Sequence, residues 1–322
     1  MNATPEDIAR AAALLRAGEL VALPTETVYG LGADASNAQA VAKIFAAKGR
    51  PADHPLIVHL ADADGIVEWA REIPKEAIAL ARAFWPGPLT MILKKEADVS
   101  DLLTGGQDTV GLRVPDHPVA LALLRAFNGG IAAPSANRFG RISPTTAAHV
   151  AEELGESVAL ILDGGACQVG IESTILDLSR GEPVILRPGM IGADAIAAVI
   201  GRRPRLPQHA ENAPRVSGAL AAHYAPRTAM RMASRAELLD PIDPTGEHAV
   251  LSHSVESPGD QPGPWIVSGP DVAHFAHDLY ANLRALDASG AQLILVEELP
   301  PDAAWDAVRD RLGRAVVGSG GE

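Results

Sequence analysis

The chain has 322 residues, 47% of them hydrophobic, and a formal net charge of −13. This length and composition can support two domains, each with its own core. The acidic balance argues against a protein that coats nucleic acids by neutralising phosphates, although it permits a local basic cleft. A single cysteine, Cys167, excludes intrachain disulfides and multi-cysteine zinc sites.

The sequence carries no sign of secretion or of membrane insertion. The first predicted helix has Glu6 and Asp7 where a signal peptide would be basic. No apolar run reaches the roughly 20 residues that cross a bilayer. We therefore expect a cytoplasmic protein that does not act in a membrane.

The first notable segment, PTETVYGLGADA at residues 24–35, follows a short apolar run at 20–23 that predicts a buried strand. Its Gly-x-Gly-x-x-Ala spacing imitates a dinucleotide-binding fingerprint. However, several residues separate the strand from the glycines, and Lys48 and Arg50 stand where an acidic residue is expected. We interpret the segment as the hydroxyl-rich wall of a pocket. A turn that merely requires glycines is the alternative.

The segment KGRPADHPLIVH, residues 48–59, is a candidate anion site at the end of an amphipathic helix. Lys48 falls one turn after Ile44 on the apolar stripe of that helix, and Gly49 can adopt the left-handed conformation that ends it. A lysine on such a stripe must either extend to water or point at a negative group. Three further basic or titratable side chains follow and favour the anion: Arg50, His54 and His59.

The segment TVGLRVP, residues 109–115, predicts a strand with Arg113 and Gly111 on one face and Val110, Leu112 and Val114 on the other. Arg113 could be solvated if only one face of the sheet is covered. The neighbouring Gly111, however, leaves room for a ligand. Because a guanidinium can hold a planar carboxylate through two parallel hydrogen bonds, Arg113 is a candidate carboxylate ligand.

Further polar residues lie at the ends of predicted strands. Ser135 and Asn137 follow a strand that ends at Ala133, Ser173 precedes a strand at 175–178, and Arg187 ends another. Ser143 is interpreted as the N-cap of a helix that starts near Pro144, where an anion would also be favoured. Ligands of open α/β sheets collect at such strand ends.

The remaining third of the chain differs in composition and in hydrophobic periodicity. Residues 201–226 are rich in proline, arginine and small residues without periodicity, which predicts a linker. Beyond residue 230, strands predicted at 249–251, 265–267 and 293–296 alternate with helices. This order predicts a small parallel α/β domain, and it shows no catalytic cluster.

Several familiar active-site motifs are absent from the sequence: the Gly-x-x-x-x-Gly-Lys-Ser/Thr phosphate loop, the Gly-x-Ser-x-Gly elbow and the His-Glu-x-x-His zinc helix. What remains is a set of cations and hydroxyls without an evident nucleophile–base pair. Such a set suits a nucleoside triphosphate and a carboxylate-bearing partner, with catalysis by positioning and charge stabilisation. The residues alone predict a nucleotide-dependent ligase or transferase.

The chain resembles the YrdC-like family, and specifically its two-domain threonylcarbamoyl-AMP synthases. The motifs that carry the resemblance are PTETVYGLGADA, Lys48-Gly-Arg50 with Ser135-Ala-Asn137, WPGPLT, VGLRVPDHP, GIESTILDL, ILRPG and HYAP. The resemblance implies an α/β fold with a twisted open mixed sheet and a concave ligand cavity, over residues 1–203. A linker at 204–228 would fold over the active site, and a smaller Rossmann-like α/β domain would occupy 229–322.

The resemblance also implies a reaction. L-threonine, bicarbonate (or carbon dioxide) and ATP would yield threonylcarbamoyl-AMP and pyrophosphate, the first step of threonylcarbamoyladenosine modification of tRNA. ATP would be a substrate accompanied by magnesium, with no protein metal site and no tightly bound cofactor. Other proteins would transfer the threonylcarbamoyl group to tRNA, and the chain could itself bind tRNA weakly.

The resemblance assigns roles by position. Threonine would be held by Thr27, His59, Arg113, the backbone of Ala133, and Ser173. ATP would be held by Arg50, His54, Thr109, Ser135, Ser143, Arg187 and Tyr224. Lys48 and Asn137 would complete the catalytic signature pair of the family. They would act on the charge of the phosphates and on the geometry of the site. Position 54 is histidine where asparagine is common in the family, and Ser217-Gly-Ala-Leu-Ala replaces a more basic linker sequence.

Two alternatives belong to other classes. A module that binds double-stranded RNA or tRNA without chemistry would use the same local cations, although the acidic balance does not favour it. A related carbamoyl transferase would form a carbamoyl adenylate for another acceptor. Threonine-dependent release of pyrophosphate distinguishes the three functions.

Overall fold

The structure is a computed structural model that describes residues 3–206, 213–240, 247–259 and 263–321. The chain forms two compact units. The first unit comprises residues 1–139, 144–168 and 172–219, and the second comprises residues 140–143, 169–171 and 220–322. Residues 207–212 of the predicted linker lie outside the described residues.

The first unit is built on one mixed sheet. Its strands are β1 (Val21–Leu23), β2 (Gly30–Asp34), β3 (Ile57–His59), β4 (Leu89–Lys94), β5 (Thr109–Arg113), β6 (Ile131–Ala132), β7 (Leu160–Ile161), β8 (Thr174–Asp177) and β9 (Val184–Arg187). They lie in the order β7-β1-β2-β6-β3-β5-β4-β8-β9. Because β3 runs parallel to β5 but antiparallel to β6, the sheet is mixed, as predicted.

The described part of the first unit contains seven α-helices. They are α1 (Pro5–Arg16), α2 (Ala38–Lys48), α3 (Lys75–Phe84), α4 (Asp101–Thr104), α5 (Pro118–Phe127), α6 (Ala147–Leu154) and α7 (Ala193–Ile200). The predicted end of α2 is confirmed: Lys48 is its last residue, and Gly49 follows in the left-handed conformation with φ 62°. Glycine adopts this conformation without the cost that a Cβ would add.

The two faces of the sheet have different roles. One face carries the largest core cluster of the unit, which includes Val58, Val110 and Leu112. Side chains alternate along a strand, so Ile57 and His59 of β3 and Gly111 and Arg113 of β5 lie on the opposite face. The predicted alternation of both strands is therefore confirmed, and it places the candidate site on the second face.

Two expectations for the first unit were wrong. Residues 30–34, interpreted as part of a pocket wall, form β2, which pairs with β1 and β6. The glycines permit a close approach here: a Cβ at Gly32 would lie 2.9 Å from Leu23 Cδ2. Helix α6 begins at Ala147 with Thr146, not Ser143, as its N-cap. The Pro144 carbonyl instead accepts a hydrogen bond from the Tyr29 amide at 2.9 Å.

The second unit is a small parallel α/β fold, as predicted. It contains β10 (Ala229–Ala233), α8 (Arg235–Leu239), β11 (His248–Ser252), β12 (Trp265–Val267), α9 (Val272–Asp287), β13 (Leu293–Glu297) and α10 (Asp306–Ser319). Its strands lie in the order β10-β13-β11-β12, and all pairs are parallel. Strand β10 had not been predicted. Across the described ranges of both units, no helix combines the length and apolarity needed to cross a membrane.

Candidate active site

The parallel pairing of β3 and β5 brings two predicted site residues together. His59 ends β3, Arg113 ends β5, and the register pairs them directly. Both side chains are buried, with exposed fractions of 3% and 4%. The carboxyl ends of two neighbouring parallel strands therefore meet where a ligand is expected.

Arg113 is held by three contacts. Its Nε donates to the Gly87 carbonyl at 3.3 Å and its Nη1 donates to the Thr27 hydroxyl at 3.0 Å. Its Nη2 lies 2.6 Å from Oε1 of Glu26. A guanidinium carries five N–H donors, so these contacts leave donors for a further acceptor. Arg113 and Thr27, both predicted for the threonine site, thus lie side by side.

Glu26 is a site residue that the sequence interpretation missed. It lies in the loop between β1 and β2, and only 3% of it is exposed. The Thr25 hydroxyl accepts from the amides of Thr27 and Val28, at 3.2 Å each, and forms the turn that presents Glu26. A carboxylate inside a buried, hydroxyl-rich loop was the available signal, because such a group needs a cationic partner.

His59 is electrostatically distinct from its neighbours. Burial, followed by the nearby Arg113 charge, lowers the pKa of His59 to about 3. Its Nδ1 accepts or donates no hydrogen bond within the part of the chain that the structure describes. The ring is therefore neutral at physiological pH and offers a polar nitrogen beside Arg113 without adding charge.

Ser173 and Arg187 form the neighbouring part of the site. Arg187, the last residue of β9, donates from Nε to the Ser173 carbonyl at 3.0 Å and from Nη2 to the Ser173 hydroxyl at 3.1 Å. The Ser173 hydroxyl also lies 2.8 Å from that of Thr90 on β4. This arrangement joins a residue predicted for threonine to one predicted for ATP.

Ser217 contacts two residues that are predicted to bind ATP, Arg50 and Arg187. The Ser217 hydroxyl accepts from Arg50 Nη2 at 3.0 Å and donates to the Pro55 carbonyl at 2.9 Å. The Ser217 carbonyl accepts from Arg187 Nη1 at 3.0 Å. One serine therefore holds two cations, which the sequence interpretation did not foresee.

A cleft lies beside these arginines. Its empty volume is about 270 Å³, part of it open to solvent, and its lining includes Thr109, Gly111, Ile92 and Ser217. A Cβ at Gly111 would lie 3.1 Å from Ile92 Cδ1. The glycine therefore admits the close approach of neighbouring side chains, and room for a ligand beside it stays a prediction.

Lys48 ties the Ser135–Asn137 turn to α2. Its Nζ donates to the carbonyls of Ser135 and Asn137, both at 2.5 Å. Burial, reinforced by the Arg50 charge, lowers the pKa of Lys48 well below its usual value. The contacts show a role in the geometry of this turn. A contact with phosphate stays a prediction.

The other predicted residues are placed less centrally. His54 is half-buried, its ring 5.3 Å from that of Phe139, and burial followed by the Arg50 charge lowers its pKa. Ala133 directly follows β6 and donates its amide to the Ile57 carbonyl at 3.0 Å. Ser143 and Tyr224 belong to the second unit, where Tyr224 stacks on Tyr280 at 5.8 Å.

The neutral state of His59 has a consequence for stability. Its pKa is about 3 in the folded chain and about 6.5 for an unperturbed histidine, so the unfolded chain binds the proton first as pH falls. The full stability is present above pH ~6.5 and is lost progressively towards pH ~3. At pH 5 the loss amounts to about 2 kcal/mol. We expect the His59→Gln variant to lack this component when urea unfolding is compared at pH 7 and pH 5.

The matched control for this comparison is His274→Gln, because the His274 side chain is 63% exposed. It should keep the wild-type dependence of unfolding free energy on pH. A His59→Gln variant that loses as much stability as wild type between pH 7 and pH 5 would contradict the assignment of a neutral, buried ring.

Comparison with known proteins follows the two units. A family profile described as "Telomere recombination" matches residues 13–189, and one described as "Threonylcarbamoyl-AMP synthase, C-terminal domain" matches residues 191–316. A threonylcarbamoyl-AMP synthase of Pyrococcus abyssi is 40% identical over 317 residues, covering 95% of this chain and 92% of the relative. One of Bacillus subtilis is 40% identical over 334 residues, covering 99% and 95%.

The structure is also similar to a solved structure. The crystal structure of Pyrococcus abyssi Sua5 complexed with L-threonine matches with a TM-score of 0.90 at 38% identity. The match covers 98% of this chain and 96% of that one. Since the similarity extends over nearly the whole length in both sequence and structure, the chain belongs to the threonylcarbamoyl-AMP synthase family.

Proposed function

We propose that the chain joins L-threonine, bicarbonate (or carbon dioxide) and ATP to form threonylcarbamoyl-AMP and pyrophosphate. The observation that carries this proposal is the buried Arg113 guanidinium, which keeps unused donors beside a neutral His59. Membership of the family and the likeness to a structure with bound L-threonine support it.

In this proposal the threonine carboxylate binds Arg113. A guanidinium binds a carboxylate through charge-assisted, often bidentate hydrogen bonds, so the residue type suits the role. The Thr27 hydroxyl, already 3.0 Å from Nη1, orients the guanidinium. The remaining threonine ligands would be His59, the backbone of Ala133, and Ser173.

The ATP phosphates would bind on the side of Arg50 and Arg187. Both arginines contact Ser217, a neutral partner, in the ligand-free chain. A phosphate oxygen is a stronger acceptor for a guanidinium than a hydroxyl or a carbonyl, so ATP can compete for these donors. The other proposed ATP ligands are His54, Thr109, Ser135, Ser143 and Tyr224.

The chemistry would proceed by positioning and charge stabilisation. The threonine amine bonds to the carbon of carbon dioxide with loss of a proton, or to that of bicarbonate with loss of water, and forms a carbamate. A carbamate oxygen then attacks the α-phosphorus of ATP while the bond to pyrophosphate breaks. Arg50 and Arg187 would stabilise the charge that develops on the leaving group. Lys48 and Asn137 would hold the Ser135–Asn137 turn in place, and neither needs to carry a proton.

Magnesium is proposed to accompany ATP as a companion of the substrate. In the described part of the chain, no group of three or more histidine, cysteine, aspartate or glutamate side chains is arranged to hold a metal ion. In this proposal triphosphate oxygens supply most of the magnesium ligands. No step of the proposed reaction depends on an ion held by side chains alone.

The product would then pass to proteins that transfer the threonylcarbamoyl group to an adenosine of tRNA. We place this reaction in the cytoplasm, where ATP and tRNA are available. Direct binding of tRNA by the chain would be weak, because the net charge of −13 opposes association with a polyanion.

The segment at 204–228, with Tyr224, is proposed to close over the bound substrates and exclude water from a labile product. Its attachment supports this idea: Gln107 exchanges two hydrogen bonds with the Arg215 backbone, at 3.0 Å and 2.7 Å. We propose that this segment lies between a first domain that ends at residue 203 and a second that begins at residue 229.

The proposed reaction makes pyrophosphate release depend on threonine. With ATP, magnesium and bicarbonate, the protein should release pyrophosphate when threonine is present and far less with any other amino acid. Release that requires a different acceptor would favour the related carbamoyl-adenylate transferase. Absence of release with every amino acid, together with tight tRNA binding, would favour the RNA-binding module.

Replacing Arg113 by alanine should weaken threonine binding about 100-fold, since a charge-assisted carboxylate contact contributes about 1.5–3 kcal/mol. ATP binding should change by less than a few fold. Isothermal titration calorimetry with each substrate measures both effects. Arg125→Ala, an exposed arginine near the end of α5, is the matched control. Equal losses for threonine and ATP would contradict the proposed role.

Closure of the 204–228 segment should be visible by limited proteolysis of the full chain. Trypsin cleavage at Arg215 and Arg227 should slow severalfold when threonine and a non-hydrolysable ATP analogue are both bound, because the closed segment is less accessible to the protease. Mass spectrometry of the fragments identifies the sites. Unchanged cleavage rates at saturating ligand would rule out closure.

A further inference from the structure

A second charged side chain, Glu26, contacts Arg113. Glu26 is 3% exposed, and its Oε1 lies 2.6 Å from Arg113 Nη2. Among the described residues, neither carboxylate oxygen accepts a hydrogen bond of good geometry, and neither does Nη2 donate one. The pair is thus held by charge, while its hydrogen-bonding capacity is largely unused.

This arrangement is costly in the ligand-free chain. A buried carboxylate loses its hydration, and a nearby opposite charge offsets that loss only when hydrogen bonds also satisfy its oxygens. The neighbouring hydroxyls do not supply them. Thr25 donates to the Val28 carbonyl at 2.6 Å, and Thr27 accepts from Arg113 at 3.0 Å. A ligand with a cationic donor would complete the site.

The charges indicate which ligand this is. Arg113 alone would attract the carboxylate of an amino acid but repel its α-ammonium, because the two substrate groups are only a few ångströms apart. His59 cannot correct this, since its ring is neutral. Glu26 places a negative charge directly beside Arg113, and the two side chains together match the two charges of a zwitterion.

We propose that Glu26 binds the α-ammonium of threonine while Arg113 binds its carboxylate. The inference rests on the proposed function, because it takes threonine as the ligand of Arg113. Binding of the zwitterion keeps the pocket electrically neutral: two charges of the protein and two of the substrate cancel. Glu26 is thereby a specificity-determining residue, which selects α-amino acids over hydroxy acids and other carboxylates.

The test compares two ligands on the wild-type chain and on the isosteric, uncharged variant Glu26→Gln. One ligand is threonine and the other is 2,3-dihydroxybutanoate, in which a hydroxyl replaces the α-amine. The wild type should bind threonine about 10- to 100-fold more tightly, the range expected for a hydrogen bond between charged groups. Isothermal titration calorimetry provides both dissociation constants.

In the Glu26→Gln variant, threonine binding should weaken about 10- to 100-fold. Binding of 2,3-dihydroxybutanoate should stay unchanged or tighten, because Arg113 no longer shares its charge with a carboxylate. Glu19→Gln is the matched control, since it makes the same chemical change in a surface pair, 2.9 Å from Lys43. It should alter neither constant.

Equal weakening for both ligands would show that Glu26 only positions Arg113, and it would overturn the proposal. Equal affinity of the wild type for threonine and 2,3-dihydroxybutanoate would also overturn the proposal. This comparison needs no variant, so it remains decisive if the Glu26→Gln chain fails to fold. If either result is obtained while pyrophosphate release still depends on threonine, the proposed function is unaffected. A wild type that neither binds threonine nor releases pyrophosphate with it overturns both.

Discussion

The buried Arg113 guanidinium is the constraint on which the rest of the candidate site depends. A cation removed from water needs partners, and here they come from two chain segments: the Gly87 carbonyl from one, and the Thr27 hydroxyl and the Glu26 carboxylate from the other. These contacts fix the 24–35 loop against the ends of β3 and β5. Burial, followed by the Arg113 charge, lowers the pKa of the neighbouring His59, so the site presents one positive and one negative group beside a neutral ring.

A second set of contacts joins residues proposed for ATP to a residue proposed for threonine. Arg50 and Arg187 both bind Ser217, one through the hydroxyl and the other through the carbonyl. Arg187 also binds Ser173, which lies next to Thr90 at the floor of the site. These contacts with serine groups are neutral, and a phosphate oxygen is a stronger acceptor for a guanidinium than either serine group. The buried Arg113, by contrast, is already neutralised by Glu26.

The contacts of Lys48 are with backbone carbonyls. A lysine at a helix end among arginines and histidines is typical of a phosphate ligand. Here it donates to the carbonyls of Ser135 and Asn137 and links α2 to the turn after β6. Burial, followed by the Arg50 charge, lowers the pKa of Lys48, whereas the two carbonyl acceptors favour its protonated form. The conformation of this turn depends on the lysine in any case.

Local pattern was sufficient for much of the architecture. Apolar alternation predicted the faces of β3 and β5, and Gly49 predicted the end of α2, because strand pleating and helix capping act over a few residues. The resemblance supplied the mixed sheet and the candidate residues. Strand β2, the late start of α6 and the pairing of Glu26 with Arg113 were decided by tertiary structure alone. Each depends on partners distant in the chain: Leu23 packed on Gly32, Tyr29 bonded to Pro144, and a guanidinium brought to the loop by the parallel register of β3 and β5.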